Sequence, residues 1–591
     1  MASPAITHTE VRRPLDALRC DIAGPPALSR VVADHLRRLG ARPGDGDVDS
    51  EGIALGGDGF AGVTARTAWG VPGSGIEDEA TAQAATGVMT VHGRRHGAPR
   101  GLGVDYLATA TGVLTVQGLL AGLIGQARGG PASHVTTSAD RTGLLTVSQY
   151  LAAAGADEPE AVELSAGGPP FSSADGVLFE LETLDPGAWA AFWRALNAPA
   201  DAIRAGWRPF QFRYATACAP FPVDLHEVTR LHVWARIRQA AGLSGAEVCR
   251  LRTLGERAAE DDGADPWTLT ALGPGAVAAA AGAPMSGRPL SGLTVLEAGR
   301  RIQAPLAAHL LGLLGARVIR IEPPGGDPLR GMPPACDGIS ARWLALNRGK
   351  EAVEIDIKSS ADRRRLRELA AEADVFLHNW APGKAGELEL DAEHLAAVNP
   401  ALVYAYTGGW ADRIADAPMG TDFMVQARTG VGEAVHPAGE PPVPSLMTLL
   451  DLLGGLHGTE AILAGLLLRE RTGHGVRVDS SLLGAADTLL APALHWVRQG
   501  LDPRPPAGFR HPLRTSDGWI APSDASAAAA AAHDVRGMCT EDALDQLRSH
   551  GLTATAVTTD LSALHHDPRL SGSISRDAHG APAVPDPWSF A

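Results

Sequence analysis

LSGLTVLEAGRRIQAPLAAHLLGLLGARVIRIEPPGGDPLRG, residues 290–331, decides the fold. It reads as a short apolar strand, LTVLEA (293–298), a helix with apolar residues at helical spacing, APLAAHLLGLLG (304–315), and a second strand, RVIRIE (317–322). The alternation continues through VEIDI (353–357), the charged helix ADRRRLRELAAEA (361–373), DVFLHN (374–379), a helix around AEHLAAVNP (392–400) and LVYAYTG (402–408). Strand and helix alternating in this way predict an α/β fold with a Rossmann-like parallel sheet. Its ligands would bind at the carboxyl ends of the strands.

Outward from this region the chain repeats itself. QARTG (426–430) is followed by Asp451 in MTLLDLLGGLHG and by an Ala/Leu/Gly-rich helix ending RERTGHG. QAATG (83–87) is followed by Asp105 in LGVDYLATATG and by a similar helix ending QARGG. The Gln-to-Asp separations are 22 and 25 residues, and a glycine follows each Asp by seven (Gly112, Gly458). SSADGVLFELE (172–182) likewise answers RTSDGWIAPSD (514–524). The chain therefore reads as a tandem duplication, each copy a large domain with a smaller α+β domain. The Pro/Gly- and Ala-rich stretch 278–292 divides it into halves 1–285 and 286–591. In the second half, 290–410 is the alternating region and 420–480 holds the Asp451 helix. The first half matches only from about residue 68 and lacks the alternating region.

A chain of 591 residues exceeds what one core of about 300 residues can serve. Its 45% hydrophobic and 20% charged residues suit a globular enzyme. A net charge of −16 argues against nucleic acid and anionic membranes, which need a basic face. Five cysteines lie far apart with no C-x-x-C pair, so no zinc or redox motif is expected and the thiols read as reduced. The N-terminal residues show no apolar leader segment. The nearest approach to a membrane span, Met447 to Leu468, is interrupted by Asp451 and Glu460. These readings predict a cytoplasmic protein with no metal. GGDGFAG (56–62) contains G-x-G-x-x-G, but VTARTAWGVPGSG after it is a poor helix, which speaks against a dinucleotide. His565 and His566 precede Asp567 without a third ligand at metal spacing, and the Ala run 525–532 is helix or linker.

Residues 290–331, LALNRGKEAVEIDIK (344–358), DVFLHNWAPG (374–383) and FMVQARTG with its Asp451 helix stand in the order of the class III CoA-transferase family, the formyl-CoA and carnitine CoA-transferases, which the chain resembles. The resemblance implies transfer of CoA from an acyl-CoA donor to a carboxylic acid, with Asp451 as nucleophile. The aspartate would pass through a mixed anhydride and an aspartyl thioester. Gln303 is implied as an oxyanion donor. Arg301, Ile302, Ala304, Asn347, Arg348, Lys350 and Asn379 are implied to line the groove for coenzyme A, which is a substrate here. Without the resemblance, an Asp before a helix reads as an N-cap, and each Arg or Lys as a surface charge.

Family members are interlocked homodimers, so the tandem chain implies an intramolecular pseudo-dimer, with further homodimerisation left open. One competent site per chain is expected, with Asp105 beside at most a degenerate groove. The arginine that often follows the family's N-F-x-P-G turn is absent, with only Lys384 nearby. Two other readings stand: a lyase or isomerase acting on a CoA thioester, and a non-catalytic relic of the family. Racemisation is disfavoured because Gly420-Thr421-Asp422 lacks the histidine of the racemases' G-H-D.

Overall fold

The computed structural model describes residues 13–44, 52–272, 284–285 and 287–591. Residues 278–283 and 286 of the 278–292 divider, and most of the stretch read for a leader, lie outside them.

In the first half, β1 (Arg19–Ile22), β2 (Gly52–Gly57) and β3 (Phe60–Ala68) pair antiparallel. The G-x-G-x-x-G segment is the hairpin between β2 and β3, with Asp58 and Gly59 at φ +52° and +87°. Its glycines serve a turn and no helix follows it. Next come α1 (Glu79–Ala85), the long α2 (Tyr106–Ala127) and β4 (Ser133–Ser138), which runs parallel to β3. A small antiparallel sheet that includes Leu178–Glu182 follows, packed with helices such as Pro186–Ala195 and Ala200–Thr216. β5 (Trp267–Ala271) ends this half.

The second half builds the expected sheet. β6 (Thr294–Ala298) leads through α3 (Gln303–Leu313) to β7 (Arg317–Glu322), followed by β8 (Glu351–Glu354), β9 (Val375–His378) and β10 (Val403–Gly408). After α4 (Asp422–Thr429) and α5 (Leu449–Thr472), β11 (Val476–Ser481) closes the parallel set. The spatial order is β8-β7-β6-β9-β10-β11, all parallel, the doubly wound 3-2-1-4-5-6 arrangement. Crossover helices cover both faces, which is why these strands read as near-continuous apolar runs. The strand order reverses between β6 and β9, so the ligand crevice of such a sheet opens where Arg300, Arg301 and Asn379 lie. Of this design the first half keeps the parallel β3–β4 pair and one short strand–helix–strand unit, in which β1 runs parallel to Arg42–Pro43 across the helix Pro26–Arg38.

The halves exchange edge strands. β5, from the first half, pairs antiparallel with β11, placing Trp267 opposite Ser480. β12 (Trp588–Phe590), from the end of the second half, pairs antiparallel with β4 and places Trp588 opposite Thr137. Both tryptophans are buried, at 5% and 4% exposure. Each covers the edge of the other half's sheet.

α2 and α5 are each long and apolar enough to cross a membrane, but they lie along each other in the middle of the molecule and are 100% and 94% buried over their most apolar windows. Gln117 Nε2 of α2 donates to the Leu456 carbonyl of α5 at 2.7 Å. One continuous apolar core draws on both halves, with smaller clusters beneath the outlying elements.

Candidate active site

Asp451 sits in the first turn of α5, one residue past the two that open the helix. Its helix begins at Thr448, a β-branched residue held at φ +54°, ψ +49°. That conformation is costly for a branched side chain and persists only where the surroundings impose it. A second non-glycine residue, Arg301, is held at φ +62° in the turn between β6 and α3.

What fixes the turn is Asp422, at the start of α4. One of its carboxylate oxygens accepts the main-chain N–H of Leu450 at 2.6 Å and of Asp451 at 2.7 Å. The other accepts from Gln426 Nε2, and Gln426 Oε1 accepts the Ser445 N–H at 2.8 Å. Thr421 donates to Glu182 Oε2 at 2.9 Å, and Arg213 also donates to that oxygen at 2.9 Å. Glu182 and Arg213 belong to the small domain of the first half, so both halves build this site.

The first half repeats the arrangement with Glu79, whose two carboxylate oxygens accept the N–H groups of Leu107 and Ala108 at 2.8 Å each. Gln83 donates to Glu79 and accepts the Leu102 N–H. Every pair is separated by the same 343 positions: 79 and 422, 83 and 426, 102 and 445, 107 and 450. β4 and β11 keep that separation too. This corrects the sequence register by three residues. Asp105 corresponds to Thr448, and the position equivalent to Asp451 is Ala108. Matching Asp to Asp and glycine to glycine slipped the copies by nearly one helical turn. Asp105 is itself tied by an ion pair to Arg510, which also holds Asp524.

Gln303 and Arg301 accompany Asp451. Gln303 Nε2 lies where a Cβ on Gly454 would meet it at 2.8 Å, one turn beyond Asp451. It donates to the Gly408 carbonyl at 3.4 Å, a long bond. Arg301 is exposed, and its guanidinium carbon lies 5.7 Å from the centre of the Tyr214 ring. Burial and then the Asp422 charge push the Asp451 carboxyl well above the usual carboxylate range, while Arg301 opposes them. Asp422 is also pushed up by burial, against its hydrogen bonds from Gln426, Asp451 and Leu450. A partly exposed carboxylate of raised basicity, with a cation and an amide donor beside it, can attack an acyl carbonyl and have the resulting oxyanion met.

The remaining predicted residues divide. Asn379 Oδ1 accepts the Arg300 N–H at 2.8 Å and its Nδ2 donates to the Arg300 carbonyl at 2.9 Å, tying β9 to β6 at the crevice. Ile302 and Ala304 are 2% and 0% exposed, so only their main chain can meet a ligand. Lys350 is turned inward: its ammonium bonds Glu297 at 2.8 Å, the Pro305 carbonyl at 2.8 Å and Asn347 Oδ1 at 2.9 Å. Burial lowers it to about 8, with Glu297 opposing. Asn347, Arg348 and Lys350 line a cleft of about 570 Å³ with His309, Trp343 and His579. Asp451, Gln303, Arg301 and Asn379 do not line it.

Sequence reasoning used Asp422 only against the racemase G-H-D and Gln426 only as an anchor of the repeat, and it did not single out Glu182 or Thr448. One signal was present: an acid four residues before the repeated glutamine in both copies, the i,i+4 spacing that lets Gln hold the acid.

The model of CoA-transferase family III matches residues 73–263 and 290–563. The chain is 36% identical over 204 residues to succinyl-CoA:glutarate CoA-transferase of Mus musculus, covering 34% of this chain and 46% of that protein. It is 35% identical over 241 residues to acetyl-CoA:oxalate CoA-transferase of Acetobacter aceti, covering 40% and 60%. The chain thus spans about half the length of the curated relatives it matches. A crystal structure of a CAIB/BAIF family protein from Brucella suis aligns with a TM-score of 0.45 at 26% identity, over 51% of this chain and 92% of that one.

Proposed function

Because the chain belongs to CoA-transferase family III, we propose that it moves CoA from an acyl-CoA donor to a carboxylic acid, with Asp451 as the nucleophile. Both curated relatives named above are CoA-transferases acting on carboxylates, which supports this substrate class. The observation that carries the reading is the Asp451 site itself: a carboxylate on the strained first turn of a core helix, with Gln303 and Arg301 beside it.

Asp451 attacks the thioester carbonyl, and collapse of the tetrahedral adduct expels CoA thiolate and leaves a mixed anhydride. The thiolate attacks the aspartyl carbonyl, releasing the first carboxylate and forming an aspartyl thioester. The acceptor carboxylate displaces CoA from it as a second anhydride. The thiolate then takes the acceptor acyl group and frees Asp451. Gln303 Nε2 supplies one donor to the oxyanions, and Arg301 favours the ionised nucleophile. Asp422 holds the helix terminus and is not the second base that a racemase needs.

We place one such site in each chain, built by the half 286–591 and completed by Glu182, Arg213 and Tyr214 of the half 1–285. Ala108 at the equivalent position supports this, since it carries no carboxylate. The test is mass spectrometry after incubation with an acyl-CoA and hydroxylamine. A hydroxamate on Asp451, lost in Asp451→Asn and kept in Asp105→Asn, is the expected result. No adduct from a panel of thioesters, or loss of the adduct in both variants, sinks the assignment.

A further inference from the structure

Three histidines meet where the halves abut, away from Asp451. His92 lies in the last turn of the helix Val88–Gly93, His96 follows one turn later, and His436 comes from the second half. One ring nitrogen of each lies within 4.8 Å of the others. Their ring centres are 5.7 to 6.1 Å apart.

The hydrogen bonds around the rings determine which nitrogens face the gap. His92, 1% exposed, pairs its Nδ1 with Ser445 Oγ at 2.9 Å, and its Nε2 is buried with no partner. His96 Nε2 is also buried with no partner. His436 Nε2 faces the Val443 carbonyl at 3.0 Å, and since a carbonyl only accepts, that nitrogen carries the proton. Its Nδ1 lies 3.2 Å from the Glu440 carboxylate. The Nε2 atoms of His92 and His96 are thus left without a partner beside it.

We propose that His92 Nε2, His96 Nε2 and His436 Nδ1 bind a divalent transition ion of the zinc class, with Glu440 or water as the fourth ligand. Imidazoles whose outer nitrogens are held by Ser445 and Val443 are the pattern of a protein zinc site. Zn–N distances of about 2.1 Å require the nitrogens to close to roughly 3.4 Å, a change that side-chain rotation can supply. Arg100 is paired with Glu440 at 2.9 Å, and Arg95 donates to the Pro444 carbonyl at 2.8 Å. These two cations weaken the site relative to an isolated three-histidine set.

The ion pins the first half to the loop that precedes α5. From His92 the contact passes through Ser445 to Gln426, then Asp422, then the Asp451 N–H. The site is thus a clamp on the catalytic turn and takes no part in the chemistry.

The full chain, stripped with a chelator, is titrated with zinc against a chromophoric competitor, and the loaded protein is examined by zinc X-ray absorption. The expected result is one ion per chain with a first shell dominated by imidazole nitrogen. His96→Gln and His436→Gln each lower affinity by at least about tenfold, while the chelated variants melt with the chelated parent. Substoichiometric binding, an oxygen-dominated shell, or undiminished affinity in the double variant overturns the proposal. The wild-type absorption spectrum decides the matter even if a variant fails to fold.

Discussion

The Asp422 carboxylate accepts the main-chain N–H of Asp451 at 2.7 Å, so one acid fixes the helix turn that presents the other. It also places its own carboxylate near that of Asp451, and the Asp422 charge raises the proton affinity of Asp451. The nucleophile must be ionised, so CoA transfer should fall as pH drops through the raised Asp451 titration. Asp422→Asn keeps an acceptor oxygen for the helix but removes the charge. The acid limb of the kcat/KM profile should therefore move to lower pH, by about one unit. An unmoved limb would mean that Asp422 does not act on Asp451 through charge.

The same raised pKa has a consequence for folding. From about pH 4, where unfolded carboxyls titrate, up to the raised native value, the folded chain binds more protons than the unfolded one. Stability of this site is therefore fully present at low pH and declines as pH rises through that window. Asp451→Asn removes the ionisation, and at pH 8 it should stabilise the protein by about 1 kcal/mol while abolishing transfer. Thermal melts of parent and variant at pH 5 and pH 8 test this, with the gap wider at pH 8.

Much of this was legible in the sequence. RVIRIE (317–322) is the observed strand to the residue, and LTVLEA and DVFLHN each miss by a residue or two. Buried parallel strands and their crossover helices carry strong apolar patterns, and that is why they read well. The repeat was legible and its register was not. Asp105 and Asp451 look alike in one dimension, whereas the true equivalence is set by Glu79 and Asp422 reaching across to helix termini 28 residues away. The exchange of Trp267 and Trp588 was also hidden, since strands of five and three residues give no periodicity and pair with the other half. Lys350 read as a groove cation because nothing local announces that Glu297, 53 residues earlier, will claim it.

Glu460 of α5 and His35 of the first half are both buried, and the His35 Nδ1 lies 3.0 Å from the carboxylate. Removing one partner leaves a polar group stranded in the core, so Glu460→Ala should cost about 3 kcal/mol. The position equivalent to Glu460 is Gln117, an amide accommodated in the core between α2 and α5. Glu460→Gln should consequently retain most of the stability. Denaturant unfolding of the two variants gives the comparison, and equal losses would show that the cost is steric and not polar.

Trp588 is the test of the interlock. Its indole N–H donates to the Leu114 carbonyl at 2.7 Å, and a Cβ on Gly118 of α2 would stand 3.2 Å from its ring. Trp588→Ala should open a cavity between α2 and β4 at a cost of about 3–5 kcal/mol. Because β12 belongs to the second half, the damage should appear in the first. Amide exchange should rise in β3 and β4 before it rises in β6 to β9. The reciprocal change, Trp267→Ala, should release β11 first and lower CoA transfer with it, since β11 runs beside β10, whose terminal Gly408 carbonyl holds Gln303. If both variants loosen both sheets equally, the exchanged strands do not act as separate covers and the core unfolds as one unit.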